Sequence, residues 1–200
     1  MKYILDFLLQ SRRVLLFREI DDRLTIRIIN ILKYLANTGP EPIFLYINSP
    51  GGNVDNAKAI MDEIIEIQDI GIEVWTIVQG LACSAAADIL SLGTHSRRYA
   101  SKHSTIMLHP MSYDLPPDYQ AFQEQTSKFY AKDADTINSL IAKACGKTTP
   151  KKIQTFKQDI DKSLWLNANE AINYGVVDNI WTYQVEREIN EIVGEQEEDQ

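Results

Sequence analysis

Residues 43–79 read IFLYINSPGGNVDNAKAIMDEIIEIQDIGIEVWTIVQ. Two short apolar runs, 43–48 and 74–79, bracket a segment in which Ala57, Ile60, Met61, Ile64 and Ile67 recur at helical spacing. Unbroken apolar runs of this length suit strands buried on both faces, and parallel neighbours of that kind need a crossover helix between them. The stretch therefore predicts a βαβ unit whose helix spans 53–70 and stops at Gly71. Working outward, 105–109 (TIMLH) reads as a third buried strand, and 22–35 and 85–92 as helices that end near Gly39 and Gly93. Asn167-Ala-Asn-Glu170 is a capping-box pattern opening a short helix that Gly175 closes. The fold class is α/β.

Between 118 and 144 there is no strand signal, and Phe122, Thr126, Phe129, Ile137, Leu140 and Ile141 predict one long helix. At 1.5 Å per residue it spans roughly 40 Å, more than a compact domain of this size needs. An arm packing on another subunit is the functional reading; a long surface helix is the plain one.

The 200 residues, 44% hydrophobic and 24% charged, fit one globular domain. A net charge of -8 has the wrong sign for a general nucleic-acid binder. That charge is unevenly placed: 186–200 carries seven acids against Arg187, so the remainder is nearly neutral. Charge density of this kind predicts a solvated, mobile tail with no catalytic role. The two cysteines, Cys83 and Cys145, form neither a CxxC pair nor a metal-spaced set, which points to a reducing compartment without zinc. No run of eighteen apolar residues predicts a membrane span.

Three segments can carry chemistry. Asn48-Ser49-Pro50-Gly51-Gly52 follows a strand, and paired glycines allow backbone N–H groups to face an anion, although a turn without ligand duty has the same composition. Ser84, in Gly80-Leu-Ala-Cys-Ser-Ala-Ala-Ala87, stands where a strand meets a helix. The Ala85 amide and the helix N-terminus favour negative charge developing there, yet an N-cap serine looks alike. Cys83 would point the opposite way, into the core. His109 ends an apolar strand and supplies the base that a serine hydroxyl needs, whereas His95 and His103 lie in polar stretches.

Taken together and in order, FLYINSPGG (44–52), GLACSAAA (80–87), RRYASKHSTIMLHP (97–110) and ANEAINYGVVD (168–178) resemble the ClpP family, the proteolytic subunits of ATP-dependent Clp proteases, over about 8–180. The separation of 25 residues between Ser84 and His109 matches that family's pattern. The resemblance implies a crotonase-like stack of ββα units with a protruding helical handle over 112–147. It implies Ser84 as nucleophile, His109 as general base, and the amides of Gly52 and Ala85 as oxyanion hole. It further implies heptameric rings stacked as a tetradecamer, homo-oligomeric or shared with paralogous ring subunits. Polypeptide substrates would be fed by an AAA+ unfoldase of the Clp type, which uses the ATP, with no cofactor in this chain. The compartment implied is the bacterial cytoplasm, or the plastid stroma for an organellar gene. A weakly active or inactive ring subunit is the alternative, and an acyl-CoA hydratase of the related fold is disfavoured by Ser84 and His109 occurring together.

The sequence departs from the family's pattern in three places. The triad aspartate position, two residues before Trp165, is Ser163, a hydroxyl that can accept from His109 but cannot stabilise an imidazolium by charge. Asp161 would share its strand face, displaced by about 6.6 Å, and Asp161 and Lys162 match the family's ring-contact pair. Only about seven residues precede the match at Leu8, so the gating axial segment is largely absent. Finally, Pro110-Met-Ser-Tyr-Asp-Leu-Pro-Pro117 replaces the family's glycine-rich substrate-binding strand, and proline cannot donate to a ladder.

Overall fold

A computed structural model describes residues 2–111 and 123–194. The crossover unit forms as its pattern requires: β2 (Ile43–Ser49), α3 (Val54–Asp69) and β3 (Val74–Cys83), with β2 and β3 parallel. Upstream lie α1 (Lys2–Gln10), β1 (Arg13–Phe17) and α2 (Asp22–Thr38); α4 (Ala85–Ser91), β4 (Arg98–Ala100) and β5 (Thr105–Leu108) follow β3. The chain continues through α5 (Gln123–Ala144), α6 (Pro150–Ile160), β6 (Leu164–Asn167), α7 (Ala168–Tyr174), β7 (Asn179–Ile180) and α8 (Tyr183–Gly194). Parallel strands run in the order β1-β2-β3-β4-β7, while β5 joins β3 in parallel and β6 joins β5 antiparallel. This is the mixed α/β fold expected of ClpP.

β3 is longer than its apolar run suggests. Gly80, at φ +104°, lets the strand turn aside, so its first half pairs with β4 through Thr76–Val78 and its last residues, Leu81–Cys83, pair with β5. The second half of β3 carries the chain to Ser84.

Because side chains alternate along a strand, each central strand feeds two cores. Val14, Leu16, Leu45, Ile47, Val74 and Val78 pack under the helices in the larger one. The opposite face gathers Phe44, Tyr46, Trp75, Ile77 and Tyr99, with Phe44 edge-on to Trp75 at 5.3 Å. The cover of this aromatic face corrects the expectation for 186–200. Up to Gly194 that segment is not a solvated tail but the helix α8, in which Ile189 is fully buried and Val185, Ile192 and Val193 pack beside it. Arg13 donates to Glu186 at 2.8 Å and to Asn190 at 2.7 Å; the Tyr46 hydroxyl also reaches Glu186, and Arg97 pairs with Glu188. Charge counting missed an apolar stripe at i, i+4, i+7 and i+8 beneath the acids. Residues 195–200 lie outside the described residues.

The expected handle region, 112–147, is described from Gln123 onward. α5 is an unbroken helix whose early turns are exposed, with Phe129 at 64%, and whose end is anchored by buried Ile141 and Ala142. Lys58 on α3 pairs with Asp133, and Lys157 on α6 with Asp135. Below it, buried Arg98 holds Asp178 through two donors and also caps α5 by donating to Ala144 O at 2.8 Å. Although burial alone would raise the Asp178 carboxyl, Arg98 outweighs it and holds it below the ordinary carboxylate range. The capping box at Asn167 and Glu170 and the left-handed Gly175 form as their residues predict.

Candidate active site

The site forms where β3 and β5 end side by side. Ser84 N donates to Met107 O at 2.8 Å, which locks the end of one strand to the other. Ser84 itself adopts φ +56°, ψ -133°, sparsely populated for a residue with a side chain. In this position its hydroxyl does not cap α4. Instead Ser84 Oγ lies 2.7 Å from His109 Nε2, across a separation of 25 residues. A strained serine on a strand-to-helix turn, held at hydrogen-bond distance from an imidazole, is the arrangement that presents a nucleophile to an approaching carbonyl. Cys83 is buried, and burial pushes its thiol up, which disfavours the reactive thiolate.

The glycine turn supports this geometry. Ile20 N–H donates to Gly51 O at 2.8 Å and Asn53 N–H to Ile20 O at 3.0 Å. Gly52 N–H is thus not spent on that bridge. The Ala85 amide, first in α4, has no intrahelical acceptor. Gly51 was not singled out from the sequence, yet its backbone comes close to Ser84: a Cβ there would stand 2.8 Å from Ser84 Cβ and 2.7 Å from Cys83 O. Its signal was the doubled glycine, which hides two separate demands, since a Cβ on Gly52 would meet Ile20 O at 2.4 Å.

The third triad position is only partly brought in. The β5–β6 ladder ends at the pair Leu108 and Leu164, so His109 and Ser163 each lie one residue beyond its last pair. Ser163 is exposed at φ +58°, and no hydrogen bond joins the two residues or reaches His109 Nδ1 among the described residues. Asp161 is corrected outright: it is the C-cap of α6 at φ -54°, ψ -22°, on a helix end and not on a strand face. His95 and His103 are exposed. Among the described residues no group of His, Cys, Asp and Glu could hold a metal, and no helix is long and apolar enough to cross a membrane. The replaced segment at 112–117 lies outside the described residues.

The family model of the Clp proteases matches residues 1–184. The chain belongs to the Clp protease family. It is 37% identical over 178 residues to the ATP-dependent Clp protease proteolytic subunit 1 of Shouchella clausii (strain KSM-K16), covering 86% of each chain. A protease of the Clp type is therefore the activity class of this protein. The matched span ends two residues into α8, so nearly all of that helix lies beyond it.

Proposed function

We propose that this Clp-family protein is a serine endopeptidase that cleaves unfolded polypeptides by acyl transfer at Ser84. The observation that carries the reading is the 2.7 Å contact of Ser84 Oγ with His109 Nε2 at a strained strand-to-helix turn. His109 takes the hydroxyl proton as Ser84 Oγ bonds to the scissile carbonyl carbon, and the resulting oxyanion accepts from the Gly52 and Ala85 amides. The protonated imidazole then gives its proton to the leaving amine as the C–N bond breaks. Water, deprotonated by the same ring, hydrolyses the ester, returns the proton to Ser84 and frees the new carboxyl terminus. Assembly into heptameric rings, stacked as a tetradecamer and fed by a Clp-type AAA+ unfoldase that hydrolyses the ATP, is the setting the family suggests.

The site also supports a second reading, a weakly active ring subunit working beside active paralogues. What favours it is Ser163: without a carboxylate across from His109, the imidazolium formed in the reaction has no charge partner among the described residues. Labelling of the assembled protein with a fluorophosphonate separates the two. An adduct on Ser84 with turnover of peptide substrates supports the endopeptidase; an assembled, folded ring without adduct supports the structural subunit.

A further inference from the structure

Trp165 is 59% exposed, whereas Trp75 is fully buried and Trp181 packs against the aromatic core. It lies on β6, which pairs with β5 alone among the described strands, and it stands directly opposite Met107. Ile106, Leu108 and Leu166 belong to the larger core. Because side chains alternate along a strand, Met107 and Trp165 share the other face of this two-stranded ribbon. Among the described residues no hydrogen bond or ring contact holds the indole. Neither β5 nor β6 carries a charged residue. The pair adjoins the reacting groups: Met107 is two residues before His109, about 6.6 Å along a strand, and its carbonyl accepts from Ser84 N at 2.8 Å. A line across three strands thus runs from the end of β3 through Met107 to Trp165.

One exposed aromatic ring needs no explanation by itself; a ring paired with a residue that touches the Ser84 backbone does. We propose that Trp165, with Met107 beside it, is a specificity-determining residue of the Ser84 centre, seating a large apolar side chain of the polypeptide next to the scissile bond. An extended chain repeats its side chains on one face every two residues, about 6.6 Å, the same step that separates Met107 from His109. A peptide held with its carbonyl at Ser84 therefore brings a neighbouring side chain over this pair. The rigid indole offers much contact area for little lost conformational entropy, and the thioether adapts to aromatic and aliphatic partners alike. A charged side chain would lose water there and find no counter-ion on either strand. Two side chains fall far short of the roughly 1,200 Å² that a stable contact with a second copy of the chain buries, which favours a substrate residue as the occupant. The inference rests on the peptidase reading above and adds to it the class of residue beside which the chain is cut.

The test compares kcat/KM on short peptides in which the residue on each side of the scissile bond is in turn Phe, Leu, Lys or Ala, using the assembled wild type, Trp165→Ala and Trp165→Phe. The wild type is expected to favour Phe and Leu over Ala and Lys by about tenfold or more at one of the two positions. Trp165→Ala loses that preference, with the fall confined to the large apolar substrates, and Trp165→Phe keeps most of it. A wild type without the preference, an equal loss on every substrate, or a preference that survives Trp165→Ala overturns the proposal. So does a changed native mass of Trp165→Ala, since the ring would then be an assembly contact. Tryptophan emission gives a second measurement that needs no turnover. In Ser84→Ala the uncleaved Phe peptide is expected to shift emission to the blue, and no shift at a concentration that saturates wild-type cleavage overturns the proposal. Ser84 unlabelled by a fluorophosphonate in the folded, assembled wild type overturns the peptidase reading and this proposal with it, whereas labelling without the preference overturns this proposal alone.

Discussion

Ser163 and His109 each lie one residue beyond the last pair of the β5–β6 ladder, Leu108 with Leu164, and no hydrogen bond joins them. If His109 is the base proposed above, the position that would carry its carboxylate partner holds a side chain without charge. Asp at this place would face the imidazolium that Ser84 creates. Exchanging such an aspartate for a neutral group in another serine-protease triad costs about 10⁴ in kcat, so Ser163→Asp is expected to raise kcat for peptide hydrolysis by roughly 10²-fold or more. An unchanged kcat would mean that another group already orients His109.

Gly51 has no room for a methyl group. At φ +95°, with Cys83 O and Ser84 Cβ both under 3 Å from a Cβ placed there, Gly51→Ala must displace Ser84 or the turn. The expected result is loss of Ser84 labelling by more than about tenfold, together with a stability loss of about 1–3 kcal/mol. Labelling kinetics beside denaturant unfolding check both.

Much of this was legible in the sequence, and the reasons differ by residue. The βαβ unit was readable because its apolar residues repeat with one period within each element, and Ser84 and His109 because each sits where a strong strand signal stops. Gly51 was not, since two adjacent glycines do not say which one must lack a side chain. Asp161 was misplaced because a short strand preceded by a helix cap gives no periodicity to fix its start. Residues 186–194 were read as tail because, over 186–200, seven acids outweighed Ile189, Ile192 and Val193 in composition, while spacing, the stronger signal, favoured burial.

Ile189 measures how firmly α8 is held. It is fully buried against the aromatic face, so Ile189→Ala is expected to cost about 2–4 kcal/mol in thermal or denaturant unfolding. Removal of the chain from Tyr183 onward should bring binding of a hydrophobic dye. A truncation at 182 that unfolds like the full chain would contradict the role given to this helix.

Arg98 and Asp178 form a pair whose two halves need each other. Arg98→Met leaves the half-buried Asp178 carboxylate with only the backbone N–H of position 98 as donor and is expected to destabilise by about 1–3 kcal/mol at neutral pH. Since Arg98 holds the Asp178 carboxyl low, the pair's contribution is present above the unfolded carboxyl's pKa of about 4 and is lost as pH falls through the folded one. The gap between wild type and variant should therefore narrow toward pH 2, as followed by urea unfolding across pH.

Asp88 acts on stability with the opposite sign. Its carboxyl is raised to about 7, so the fold holds the proton longer than the unfolded chain does, and stability falls as pH rises from about 4 to about 7. Asp88→Asn should match the wild type near pH 4 and be the more stable of the two at pH 8. Equal stabilities at pH 8 would show that the carboxyl finds a partner or water in solution.

The bond from Arg13 to Glu186 joins positions 173 apart, near the two ends of the chain. During synthesis the sheet face that bears Phe44, Tyr46, Trp75 and Tyr99 is made early and its cover last. Until the final turns of α8 leave the ribosome, those rings stand open on an unfinished sheet, the kind of surface on which nascent chains associate with one another. A stop codon or a frameshift just before the stretch that encodes α8 would leave Ser84, His109 and Ser163 encoded and still expose this aromatic face to aggregation or to a chaperone.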